Sequence, residues 1–134
     1  MKQLVYILLP LLLFTAACKK NETEEPPKAP VYSKITILSP ATTDTLYQTN
    51  DSSVIDFTVT DAIEIDTVFM NVLNPNGGSM YFGYFIVNDK TLHYRGYHKF
   101  DDGVTEPKTY SLVLEAHNSS KNQTKATRYF TLAP

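Results

Sequence analysis

The chain has 134 residues, 43% of them apolar and 19% charged, with a formal net charge of −2. So mild an acidic balance lacks the basic stripe of a nucleic-acid-binding domain, and no nucleic-acid partner is expected. The single cysteine, Cys18, excludes an internal disulfide, so the fold has to rest on its packed core.

Met1-Lys2-Gln3 is a short basic start, and Leu4 to Phe14 is apolar except for the interruption at Pro10. That run has the length of a signal-peptide core and falls short of the roughly 20 residues of a membrane span. Thr15-Ala16-Ala17-Cys18 follows. This arrangement resembles the lipobox of bacterial lipoproteins, with Thr15 where that motif usually carries Leu. The resemblance implies that residues 1–17 are a leader removed before Cys18. It further implies that the Cys18 thiol takes diacylglycerol and the new amine is acylated, which anchors the protein to the outer membrane of the cell envelope. Two or more acyl chains hold stably where one does not, at about 0.8 kcal/mol per buried methylene.

Residues 18–31 form the expected tether. After Cys18 they read KKNETEEPPKAPV, low in apolar residues, so they bury too little surface to offset the entropy of ordering. Pro26, Pro27 and Pro30 bias the segment toward extended polyproline II, about 3.1 Å per residue. The charged stretch after the lipid cysteine also resembles the export signals of some Gram-negative surface lipoproteins. A solvated spacer explains it equally well.

Residues 32–134 read as one domain of roughly 100 residues, enough for a single core. No segment has helical periodicity; short β-rich runs recur between turn signals. The expected strands are Val31–Leu38, Thr45–Gln48, Ser53–Thr60, Asp66–Leu73, Ser79–Val87, Thr91–Phe100, Thr109–His117 and Lys125–Leu132. Ile55, Phe57 and Val59 point inward in the third, Val68, Met70 and Val72 in the fourth, Tyr110, Leu112, Leu114 and Ala116 in the seventh. Asn74 to Gly78 is a strong turn. Asn88-Asp89-Lys90 reads as the turn of a hairpin. The fold class that follows is all-β: an antiparallel β-sandwich of seven or eight strands.

Thr109–Asn118, TYSLVLEAHN, resembles the penultimate strand of fibronectin type III and bacterial immunoglobulin-like domains. The spacing of Ile65, Val68, Met70 and Val72 is similar to their third strand. The resemblance covers residues 32–134 in outline and implies an immunoglobulin-like sandwich. In it Tyr110 is the tyrosine-corner residue, its hydroxyl bonded back to nearby backbone. The chain has no core Trp and no Cys pair, unlike antibody domains.

Little here suggests chemistry. His93 and His98 have opposite parity and point to opposite faces of a regular strand, so no metal site is expected. His117 sits at a strand end. Asp61, Glu64 and Asp66 crowd one turn with oxygens that suit calcium, but the neighbouring loop Asn118–Asn122 lacks further acids, and a solvated loop is the simpler reading. No Gly-x-Ser-x-Gly elbow or phosphate-binding glycine loop occurs. No catalytic residues and no cofactor are expected, and the protein reads as a non-enzyme.

One region stands apart. Residues 80–100 hold Tyr81, Phe82, Tyr84, Phe85, Tyr94, Tyr97 and Phe100, seven of the chain's aromatics, which total 9 Tyr and 7 Phe. A two- or four-residue turn sets Phe82, Tyr84 and Ile86 beside His93, Arg95 and Tyr97. A three-residue turn sets Tyr81, Phe85 and Val87 there instead. Leu92 and Tyr94 are the expected buried partners. The expectation is an aromatic patch with one arginine, built from Phe82, Tyr84, His93, Arg95 and Tyr97. Tyr and Arg are favoured at binding hot spots. The function read from this is a lipid-anchored, non-catalytic envelope module that binds a glycan, peptide or protein. The alternative is an assembly accessory of an outer-membrane complex, pairing through a sheet edge.

Overall fold

The computed structural model describes residues 28–49 and 52–134. The leader, Cys18 and most of the tether lie outside the described residues. The described chain is all-β: β1 (Lys34–Ser39), β2 (Thr45–Tyr47), β3 (Ser53–Leu73), β4 (Ser79–His98), β5 (Lys108–Asn118) and β6 (Gln123–Ala133). Alternation of β-branched and aromatic residues with polar ones drives this, because each pleated strand then has one face to bury.

Two strands are far longer than expected. Ser53–Thr60 and Asp66–Leu73 fuse into β3, and Ser79–Val87 and Thr91–Phe100 fuse into β4. The first half of β3 pairs with β1 and with the second half of β4, as in Phe57 opposite Ile37 and Tyr94. The second half of β3 pairs with β5 and with the first half of β4, as in Met70 opposite Leu114 and Gly83. Both long strands therefore pass from one layer of a sandwich into the other. A straight strand would hold Tyr81 and His98 roughly 55 Å apart at the usual rise. Their ring centroids lie 4.2 Å apart, so β4 folds back on itself. One layer holds β1 and the early β3 and late β4 segments. The other holds the early β4 and late β3 segments, then β5, β6 and β2. Counted by layer, β3 and β4 supply two segments each, which recovers the eight expected runs from six continuous strands.

The crossing is made by a bulge. Thr60 pairs with Thr91 and Ile65 with Asp89, so β3 spends residues 61–64 where β4 spends Lys90 alone. Asp61 holds the bulge: its carboxylate accepts from the Ile63 N–H at 3.0 Å, the Ser33 hydroxyl at 2.7 Å and the Asn118 amide at 3.1 Å. On β4 the bend falls at Asn88, whose φ is +50°. Asn tolerates that region better than most residues. Asn88-Asp89-Lys90 is thus a bend within one strand, and the hairpin expected around it does not form. The real hairpin turns at Asn74–Gly78. There Asn74 Oδ1 accepts from the N–H groups of Asn76 (3.0 Å) and Gly78 (2.8 Å), and Gly77 takes φ +81°. Pairing is antiparallel except between β2 and β6, which run parallel.

The core fills from the inward positions read in the sequence: Ile55, Phe57, Val59, Val68, Met70, Val72, Leu112 and Leu114 are buried. Leu92 and Tyr94 also face inward, half-buried. Rings close the side of the sandwich where β4 folds. Tyr94 stacks on Phe57 at 5.2 Å and meets Phe85 at 4.9 Å. The Tyr94 hydroxyl reaches His98 Nε2 at 2.8 Å, passing over Gly96.

Candidate binding surface

Folding β4 across both layers divides the expected patch. Phe82, Tyr84 and Ile86 lie on the outer face of the larger layer and are 58%, 52% and 69% exposed. They stand opposite Asn71, Phe69 and Thr67 of β3. Those residues in turn face Val113, Glu115 and His117 of β5. Phe69 is the hub: its ring lies 5.1 Å from Tyr84, 6.3 Å from Phe82 and 5.5 Å from His117. A shallow depression beside it is lined by Phe69, Asn71, Phe82, Val113, Glu115 and Lys125. His117 Nε2 closes on Glu115 Oε1 at 2.6 Å, which sets charge at the rim of an apolar centre.

His93, Arg95 and Tyr97 lie on the opposite outer face, across from Thr58, Asp56 and Val54. They do not join Phe82 and Tyr84, because the two halves of β4 pair with different halves of β3 and belong to different layers. Neither turn-length alternative applies. On this second face Asp56 gathers two side chains of β4: His93 Nε2 is 3.0 Å from Oδ1 and Arg95 Nη1 is 3.6 Å from Oδ2. The Asp56 side chain is only 11% exposed under these two residues. The arginine is thus engaged within the sheet. Phe69 was missed as a binding residue, although its parity, opposite to Val68 and Met70, already turns it outward.

No protein-family model matches the chain, and no curated protein matches it. Among solved structures it is similar to CopC from Methylosinus trichosporium OB3b, with 13% identity and a TM-score of 0.50 over 77% of this chain and 95% of that one. At that identity the likeness is one of fold: a small all-β domain of nearly the same extent.

The other expected sites take structural roles. Tyr110 is buried, and its hydroxyl donates to Asp102 Oδ2 at 2.5 Å. The expected partner was backbone; the carboxylate of the loop before β5 takes that place. Burial, then the hydrogen bond to Asp102 and that carboxylate's charge, push the Tyr110 hydroxyl up to about 12. The three clustered acids diverge. Burial alone would raise the Asp61 carboxyl, yet its hydrogen bonds from Ser33, Ile63 and Asn118 outweigh this and leave it below its ordinary value. Asp66 pairs with Lys121 at 3.0 Å, and Glu64 is exposed. Among the described residues no three His, Cys, Asp or Glu side chains converge on one point. Asn118 is fully buried and satisfied: its amide donates to Val31 O and Asp61, and its Oδ1 accepts from Ser120 and Asn122.

Proposed function

We propose that this protein is a non-catalytic binding module of the cell envelope, held at the membrane through lipid on Cys18. Its contact surface is the outer face built by Phe69, Phe82, Tyr84 and Ile86. The observation that carries the reading is the run Phe82, Tyr84, Ile86: successive outward positions of one strand, each more than half exposed, around a shared aromatic hub. A contiguous apolar patch with a polar rim is the usual anatomy of an interaction site. The rings of Phe82 and Tyr84 are tilted 42° and 48° against Phe69 and form no common flat platform for a sugar, so a peptide or protein surface fits this face better than a glycan. The second face sets the exposed Tyr97 beside Asp56, which already holds His93 and Arg95.

The test compares two triple variants in full-length protein taken from membranes in mild detergent. Phe82→Ser/Tyr84→Ser/Ile86→Ser is expected to lose its envelope protein partner by at least about tenfold, equivalent to 1.4 kcal/mol. His93→Ala/Arg95→Ala/Tyr97→Ala is expected to keep it. Unchanged binding by the first variant, with circular dichroism showing an intact fold, would overturn the reading. Binding of the parent to glycan arrays without a protein partner would overturn the choice of ligand.

A second reading has its own support. β4 has a free edge, so the module could serve an outer-membrane complex as an assembly accessory that accepts a partner strand.

A further inference from the structure

The free edge of β4 is distinct from the face described above, because it offers backbone groups in the plane of the sheet. Among the described strands, β4 pairs with β3 alone along its whole length. Sheet edges are normally guarded by charge, brevity or a bulge. β2 is three residues long, and β1 carries Lys34 and a bulge between Ile37 and Ser39. The late segment of β4 carries Lys90, His93 and Arg95. The early segment, Ser79–Val87, has no guard: SMYFGYFIV contains neither charge nor proline.

We infer that this segment pairs edge to edge with its counterpart in a second copy, antiparallel about a two-fold axis at Tyr84. The choice of a second copy rests on the segment's self-complementarity. In that register Tyr84 faces Tyr84 of the other copy, and Phe82 faces Ile86 twice. The outer face then continues as one apolar row across both copies. On the inner side Gly83 faces Phe85, again twice, with each chain's own Phe85 and Met70 already covering its Gly83. The bend at Asn88 turns Asp89 and Lys90 away into the other layer, so no charge stands along the pair. A foreign strand selected by charge would find nothing to select on this edge. The paired stretch runs about 30 Å at the usual rise per residue. It satisfies alternate N–H and C=O groups that are otherwise left to water. Isologous contacts of this kind close on themselves and stop at a dimer.

The experiment uses full-length protein purified in mild detergent. The parent is expected to sediment as two chains. Tyr84→Cys is expected to form a disulfide with itself on mild oxidation, whereas the parent, whose lone thiol is Cys18, does not. Phe82→Lys/Ile86→Lys sets lysine against lysine twice and is expected to weaken the dimer at least about tenfold. Phe82→Lys/Ile86→Glu sets lysine against glutamate and restores it, which reads the register directly. These positions are exposed, and circular dichroism checks that each variant folds. A parent that stays monomeric across the micromolar range overturns the inference, as does a monomer that co-purifies stoichiometrically with a different protein strand. A dimer indifferent to both lysine variants overturns it as well.

Discussion

Gly96 shows how closely the sequence is fitted at single residues. A Cβ there would lie 2.1 Å from the Tyr94 hydroxyl and 2.8 Å from His98 Nε2. Gly96→Ala must displace the Tyr94 ring from Phe57 and break its contact with His98. The expected cost is about 1–3 kcal/mol, read as a lower midpoint in urea. Tyr110→Phe removes the donor to Asp102 and is expected to cost about 1–2 kcal/mol by the same measurement. Tyr110 was legible in sequence, because an aromatic opens an alternating strand. Its acceptor was not, because alternation says nothing about how the Asp101-Asp102-Gly103 loop folds back. The interior also carries a pH dependence. Burial pushes His98 below its ordinary value of 6.5, so the unfolded chain binds the proton more readily. Stability contributed by neutral His98 is therefore present above 6.5 and declines as pH falls toward the lower folded value. His98→Gln should flatten that part of the stability profile; an unchanged slope would contradict the assignment.

At the scale of elements, the turns and the strand interiors behaved differently. Asn74–Gly78 was legible, because Asn and Gly there meet the demands of a tight turn. Asn74→Ala removes both side-chain hydrogen bonds and is expected to cost roughly 1 kcal/mol in thermal unfolding. Asn88-Asp89-Lys90 offered the same residue types and a different outcome. Three polar residues suit a hairpin turn and also suit a bend inside a strand. The choice is made by the partner, because β3 brings its own bulge at residues 61–64 to the same level. Nothing in DAIE signals that bulge: it has no Gly or Pro, and its hold is the Asp61 carboxylate reaching Ser33 and Asn118 across the fold. Asn88 at φ +50° yields a sharp contrast. Asn88→Gly should be tolerated, whereas Asn88→Val should destabilise by at least about 1 kcal/mol, since β-branched residues avoid positive φ.

For the whole molecule, all-β character and the inward residues followed from period-two patterning, and the layer assignment of β4 did not. Patterning fixes which side of a strand is apolar. It does not reveal that outward residues of one strand end on opposite faces once that strand changes layers. Phe82 and Tyr84, outward under one of the two turn lengths the sequence allowed, do face outward, as do Arg95 and Tyr97; joining them required a hairpin that the bulge in β3 forbids. The separation leaves an apolar face around Phe69 and a polar face around Asp56, with the open β4 edge between them. The membrane part of the account stands on Cys18. Cys18→Ser is expected to move the protein from the membrane fraction to the soluble one, and retention in the membrane pellet would contradict the lipid anchor.

The binding face is tested most directly by photo-crosslinking in living cells, with benzoylphenylalanine replacing either Phe82 or Tyr97. From position 82 the account predicts an adduct with a second protein, beside the two-copy adduct that the dimer gives, and none with a second protein from position 97. An adduct from position 97 alone, or from neither, would contradict it.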